Sequence, residues 1–364
     1  MGNTLQDILR AHCTAYPAME VQDYIKLIYQ NEFGCGHMIL DPSGSEALLR
    51  AEYEKVQAEV NVRKNPADIE EIGNGLCRMH LDPAVTETDF LPLLNLLFVS
   101  TANTHRGSMS AFRNKAALLQ EIAAGSLLPL KPEAVKAYLE EYFSLGCPPV
   151  HHSEAYSAKY KPHYRVIKTA YALYIPAFRA IHRLAERRRS VIIAVDGRCG
   201  SGKSLLAGLL SEVFACNVFH MDDFFLPFGL RTKERLSQPG GNVDYERFMH
   251  EVLEPLTEGR SVSFRPFDCG TGELRSPVHV PARPITIVEG SYSLHPALAT
   301  HYDLSIFLTC SPEIQMQRLL NREGESLLKR FREEWIPLEE RYFSACAIEE
   351  HCDLELDTTS FSIG

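Results

Sequence analysis

Along residues 21–29 the apolar side chains Val21, Tyr24, Ile25, Ile28 and Tyr29 recur on one face of a 3.6-residue period, which predicts an amphipathic helix. The two glycines of Asn31-Glu32-Phe33-Gly34-Cys35-Gly36-His37 end it, because glycine accepts the backbone turn that closes a helix. Helical spacing returns at residues 45–56, 90–101, 115–124 and 132–143. No stretch before residue 190 alternates convincingly with period two, so the first half reads as mostly α-helical. At residue 190 the texture changes. Residues 190–196 form a continuous apolar run rich in β-branched side chains, as expected of a strand buried on both faces. Similar runs at 218–221, 285–288 and 304–308 are separated by helical or loop segments. That alternation predicts a parallel sheet with helices on both faces. The expected division is therefore a helical domain over 1–175, a basic linker helix over 176–189 and an α/β domain over 190–364.

Bulk properties narrow the classes. A chain of 364 residues, 45% hydrophobic and 23% charged, has enough apolar surface for two globular domains. The net charge of −10 argues against a general nucleic-acid binder. Residues 159–189 run against that balance, with nine Lys and Arg against Glu186 alone. They read as a solvated basic helix, or as a patch that helps to hold phosphates. The ten cysteines form no C-x-x-C pair, so adjacent zinc ligands are not expected. Without a secretory signal or a membrane-length apolar run, free thiols point to the reducing cytoplasm. Gln6 stands where N-myristoylation needs Ser or Thr.

Gly197-Arg198-Cys199-Gly200-Ser201-Gly202-Lys203-Ser204 matches G-x-x-x-x-G-K-[ST] in full, between the first apolar run and a helical one. Glycines let backbone N–H groups converge on phosphate oxygens, and the helix N-terminus adds positive potential. Gly197, Cys199, Gly200, Ser201, Gly202, Lys203, Ser204 and Leu205 are the expected ATP-binding residues. Lys203 should reach the β- and γ-phosphates and Ser204 should ligate Mg²⁺. Cys199 reads as a permissive position, or as a thiol made oxidisable by the helix N-terminus. No N-K-x-D motif reads guanine, and the strand at 285–288 ends in Glu289-Gly290 rather than an Asp-Glu pair, which disfavours GTPases and ATP-driven machines. The run at 218–221 leads into Asp222-Asp223-Phe224-Phe225, so an acid stands where open α/β sheets bind ligands. Asp222 is the candidate base for an acceptor hydroxyl, and Asp223 a candidate for Mg²⁺ through water.

Together, residues 197–204, 222–225, 241–248 and 289–292 resemble the uridine kinase family, which groups with phosphoribulokinase and bacterial pantothenate kinase. The likeness covers about residues 190–358 and implies an α/β P-loop kinase fold, ATP or GTP, Mg²⁺ and a nucleoside acceptor. It implies Asp222 as catalytic aspartate, Asp244 on the ribose hydroxyls, Phe267 against the base, and Glu289 beside substrate and metal. It also implies Arg318 and Arg322 as lid arginines, and oligomer formation. Two departures stand out: Cys269-Gly270-Thr271-Gly272-Glu273 lacks the family's pyrimidine-reading histidine, and the lid around Arg322-Glu323-Gly324-Glu325 is short. Glu273 or Arg275 could read a different acceptor there, such as a sugar phosphate or a pantothenate-like metabolite. A nucleotide-gated switch for the helical domain is the reading outside catalysis. The first half resembles no named family. Glu32, His37, Arg78, His80 and His105 are its candidate pocket residues; no H-E-x-x-H spacing marks a metal site.

Overall fold

The computed structural model describes residues 4–58, 68–83 and 86–361, and the chain divides into two compact units, Met1–Ile175 and Pro176–Gly364. Unit one runs α1 (Leu5–Ala15), α2 (Val21–Phe33), α3 (Pro42–Ala58), β1 (Ile69–Gly73), β2 (Leu76–His80), α4 (Leu91–Thr104), α5 (Met109–Ala124), α6 (Pro132–Ser144), α7 (Glu154–Tyr160), β3 (Tyr164–Lys168) and α8 (Thr169–Leu173). The expected helices are present, several starting on capping side chains. Thr4 caps α1 with Asp7 in a reciprocal box, and Ser108 and Ser153 cap α5 and α7. Leu9, Tyr24, Ile28, Phe112 and Leu119 bury the shared apolar faces.

The first half is mostly helical as expected, and it also holds three strands that no period-two stretch marked: β1, β2 and β3 form an antiparallel sheet. All five residues of β2 are buried, Arg78 and His80 among them, so no polar–apolar alternation marks it. Arg78 is tolerated there because it donates to Gln30 Oε1 (2.7 Å) and Glu70 Oε2 (3.2 Å) and lies 4.7 Å over the Tyr164 ring. His12 is also buried. Its Nε2 donates to Glu71 O at 2.9 Å, and burial pushes its pKa from 6.5 down to about 4. A depressed histidine pKa contributes stability that is complete above 6.5 and disappears as pH falls through 4. We therefore expect chemical denaturation of the wild type to show a loss of about 3 kcal/mol over that interval from His12. The His12→Gln protein should lack that component; an unchanged pH slope would contradict it.

Unit two takes all but the first residue of α9 (Ile175–Arg187) and continues through β4 (Val191–Gly197), α10 (Lys203–Val213), β5 (Cys216–His220), β6 (Ile285–Glu289), β7 (Leu304–Thr309), α11 (Pro312–Arg330), α12 (Ile336–Cys346) and β8 (Leu354–Asp357). Helix α9 is amphipathic and packs Phe178 against Phe214, with ring centroids 5.9 Å apart. The strands form one parallel sheet in the order β8-β7-β4-β6-β5, flanked by helices. The four runs read from the sequence are its three inner strands, β7, β4 and β6, and the edge strand β5. The fifth, β8, alternates half-buried and exposed positions at the sheet edge. The chain leaves β4 toward one side of the sheet and β7 toward the other, a switch point of the kind that leaves a crevice at the strand carboxyl ends. Two short hairpins, Val262–Phe264 with Val278–Val280 and Phe267–Asp268 with Glu273–Leu274, lie between β5 and β6 in the chain. Among the described residues no helix is long and apolar enough to cross a membrane.

Candidate phosphate-binding and acceptor site

The site is built outward from the end of β4. Gly197 leaves the strand with φ +138°, and a Cβ there would lie 2.0 Å from Leu308 O, so the loop passes β7 at a distance only glycine allows. The loop then turns back to start α10 at Lys203. No described group accepts from the N–H of Gly200, Gly202, Lys203, Ser204 or Leu205, and Ser201 Oγ is buried without a partner. Converging unsatisfied donors at a helix N-terminus, beside a buried hydroxyl, fit an anion such as a phosphate chain. Lys203 is buried, and its Nζ donates to Gly197 O (2.6 Å) and Arg198 O (3.0 Å).

Asp196, which the sequence reading passed over, organises this turn. Fully buried, its carboxylate accepts from the N–H of Gly197 (2.7 Å), Tyr292 (3.2 Å) and Leu294 (2.9 Å) and from Tyr342 Oη (2.9 Å). Burial outweighs these donors and the nearby Lys203 charge, and pushes the carboxyl up to about 6. Tyr292 takes φ +76°, an uncommon conformation for a side chain with a Cβ, with its N–H on Asp196. Tyr342→Phe removes one of the four donors. We expect a loss of about 1–3 kcal/mol in urea denaturation; an unchanged midpoint would mean that Asp196 does not need the phenol. Glu339, also unforeseen, accepts from Cys199 N (3.0 Å) and Ser291 Oγ (2.6 Å), tying α12 to the loop. The oxidisable reading of Cys199 is corrected: the thiol is buried, and burial followed by the Glu339 charge pushes its pKa up, away from thiolate.

Glu289 closes β6 beside Val195 of β4 and His220 of β5. It is buried, and accepts from Ser204 Oγ at 3.2 Å and from His220 Nδ1 at 2.5 Å. Ser204 and Glu289 thus meet at the mouth of the cradle and supply hard oxygen donors suited to Mg²⁺. Among the described residues no three His, Cys, Asp or Glu side chains gather as a metal cluster. That is the ordinary situation for Mg²⁺, which keeps its waters and phosphate ligands.

Asp222 begins the turn after β5 with its side chain open to solvent. The surrounding protein nevertheless raises its carboxyl, opposed by the Lys203 charge and reinforced by Glu289. Asp244 is buried; it caps the helix Tyr245–Phe248 and pairs with Arg247 at 3.2 Å. Arg247 is the hub of this side, donating to Asp223 O (3.0 Å) and Arg265 O (2.6 Å) while lying 4.4 Å over Phe224. Asp244 N donates to Phe224 O (2.8 Å), which draws the two acidic segments together. Phe267 is buried edge-on against Phe228, with centroids 6.1 Å apart. In the stretch without histidine, Arg275 pairs with Asp268 at 2.8 Å. Arg318 donates to Gly200 O (3.2 Å), Thr358 Oγ1 (2.9 Å), Thr358 O (2.6 Å) and Phe361 O (3.0 Å), so it clamps the loop to the chain end. Arg322 is exposed and pairs with its neighbour Glu323 (2.7 Å).

The candidates of unit one are held by different partners. Glu32 pairs with Lys115 (2.7 Å), accepts from Ser108 N (2.7 Å), and offers its carbonyl to His105 Nε2 (2.8 Å). Arg78 and His80 stand on β2 beside Glu70, Arg78 also reaching Gln30 of α2, and His37 is on an exposed turn.

No protein-family model matches the chain, and no curated protein matches it. Several solved structures resemble about half of the chain. A possible uridine kinase from Bacillus stearothermophilus is 20% identical, with 49% of this chain and 97% of that one covered and a TM-score of 0.37. A candidate fructose transport system kinase from Silicibacter sp. TM1040 is 24% identical over 48% and 94%, with a TM-score of 0.39. Shikimate kinase from Bacteroides thetaiotaomicron is 12% identical over 45% and 84%, at 0.24.

Proposed function

We propose that unit two is an ATP-dependent kinase that moves the γ-phosphoryl group onto a hydroxyl of a small acceptor. The observation that carries this is the arrangement at the carboxyl ends of the strands: an unsatisfied N–H cradle with Lys203 after β4, and a carboxylate with a raised pKa, Asp222, two strands away after β5. In this reading the loop N–H groups and Lys203 bind and orient the phosphates. Mg²⁺, held by Ser204 and Glu289, supplies charge neutralisation. Asp222 orients the acceptor hydroxyl and takes its proton as the new O–P bond forms and the bond to ADP breaks.

A nucleoside such as uridine or cytidine is the acceptor that the family resemblance implies. A different small alcohol is the second reading, favoured by residues 269–273, where no histidine stands and Asp268 accepts from the N–H of Gly270 (2.8 Å) to form a closed turn. The test is ADP release from ATP and Mg²⁺ with uridine, cytidine, pantothenate and sugar phosphates, against a Lys203→Ala background. Uridine-dependent release supports the nucleoside. Release with another acceptor alone keeps the kinase and removes the nucleoside. No stimulation by any acceptor would replace the kinase with the nucleotide-gated switch.

A further inference from the structure

Five arginines surround the acceptor segments, and four are paired with acids. Arg235 meets Glu246 (2.6 Å), Arg247 meets Asp244 (3.2 Å), Arg265 meets Glu251 (3.0 Å) and Arg275 meets Asp268 (2.8 Å). Arg231 differs. Its Nε donates to Leu226 O (2.6 Å), and its guanidinium lies 4.5 Å over the Phe228 ring and 5.7 Å from that of Phe267. Among the described residues no carboxylate pairs with it, and its terminal nitrogens donate to nothing. Burial lowers its pKa, whereas Glu246 raises that of Arg235. A half-buried cation without a counter-charge is costly to keep. Shielding the ring does not account for it, because Phe228 remains 59% exposed beneath it.

Its place matters as much as its state. Arg231 hangs from Leu226, on the same segment as Asp222, and the strand Phe267–Asp268 packs on the turn Met221–Phe224. Phe267, whose ring lies 5.7 Å from the guanidinium, belongs to that strand, so Arg231 stands beside the strand that packs on the turn carrying Asp222. A planar fork held by an aromatic face and one carbonyl, with its terminal N–H groups unused, is preorganised for a compact anion.

We propose that Arg231 receives a carboxylate or phosphate group carried by the acceptor, so that the substrate is a small anionic alcohol rather than a neutral nucleoside. This rests on the kinase reading above. The test compares matched acceptors in ADP release: D-glycerate against glycerol, ribose 5-phosphate against ribose, and uridine 5′-monophosphate against uridine. Calorimetry with the same compounds is run in the presence of ADP. The wild type should prefer an anionic member, glycerate marking a carboxylate and either phosphate ester a phosphate. Arg231→Gln should raise its KM by about 10–100-fold, with kcat and ATP affinity little changed; Arg231→Lys, which restores charge without the fork, should recover part. Equal use of neutral partners, or an unchanged KM in folded Arg231→Gln, overturns the proposal while the kinase stands. Anion binding that is lost in Arg231→Gln, with no phosphoryl transfer by the wild type, would sink the kinase reading and keep the subsite.

Discussion

Lys203→Ala is expected to lower acceptor-stimulated ADP release by about 10²–10³-fold, the scale seen when one preorganised donor to developing charge is removed. The resting partners of Lys203 are its own loop's carbonyls, Gly197 O and Arg198 O, at 2.6 and 3.0 Å. An ammonium held there is positioned before any phosphate arrives, so little reorganisation is needed. Alanine also removes the charge that holds down the carboxyls of Asp222 and Asp196. The loss should therefore exceed that of a phosphate contact alone and be only slightly relieved by saturating ATP. Thermal melting should show a folded protein, since Glu339 and Asp196 still fix the loop. Turnover within a few-fold of wild type would remove the cradle from the mechanism.

What was legible beforehand follows from how local each signal is. The strands β4 to β7 are apolar runs, and the loop from Gly197 to Ser204 is one contiguous motif, so both can be read without their partners. The sheet of unit one could not be found by alternation, because every residue of β2 is buried and Arg78 is satisfied there by Gln30, 48 residues away. A local clue did exist. Asn74-Gly75 joins β1 to β2 with φ +54° and +72°, the left-handed pair that a two-residue hairpin requires. Ser204 and Glu289 were legible as separate candidates, and the structure brings them within 3.2 Å. Asp196 and Glu339 were not, since their roles are defined by Tyr342 and Cys199, 146 and 140 residues distant. Arg318 shows the converse. Its helix suggests a mobile lid, yet backbone carbonyls and Thr358 take up its guanidinium.

Asp222→Asn should lower kcat for phosphoryl transfer by about 10²–10⁴-fold, the usual contribution of a positioned base. The side chain is the same size and is open to solvent, so the fold should be preserved. It lies beyond the loop whose N–H groups form the cradle, so ATP affinity should stay near wild type. That combination, intact nucleotide binding with lost transfer, separates a base from a structural acid. Asp244→Asn is the internal contrast. Asp244 caps a helix and pairs with Arg247, which also holds Asp223 and Arg265, so its loss should lower stability along with activity. Unchanged transfer in the Asp222→Asn protein would remove the proposed base. If the variant instead kept slow, acceptor-independent ATP hydrolysis and altered only the binding of a partner protein, the gated switch would explain the site better than the kinase. An acid open to solvent and within the field of Lys203 suits the base proposed above and has no comparable purpose in a switch.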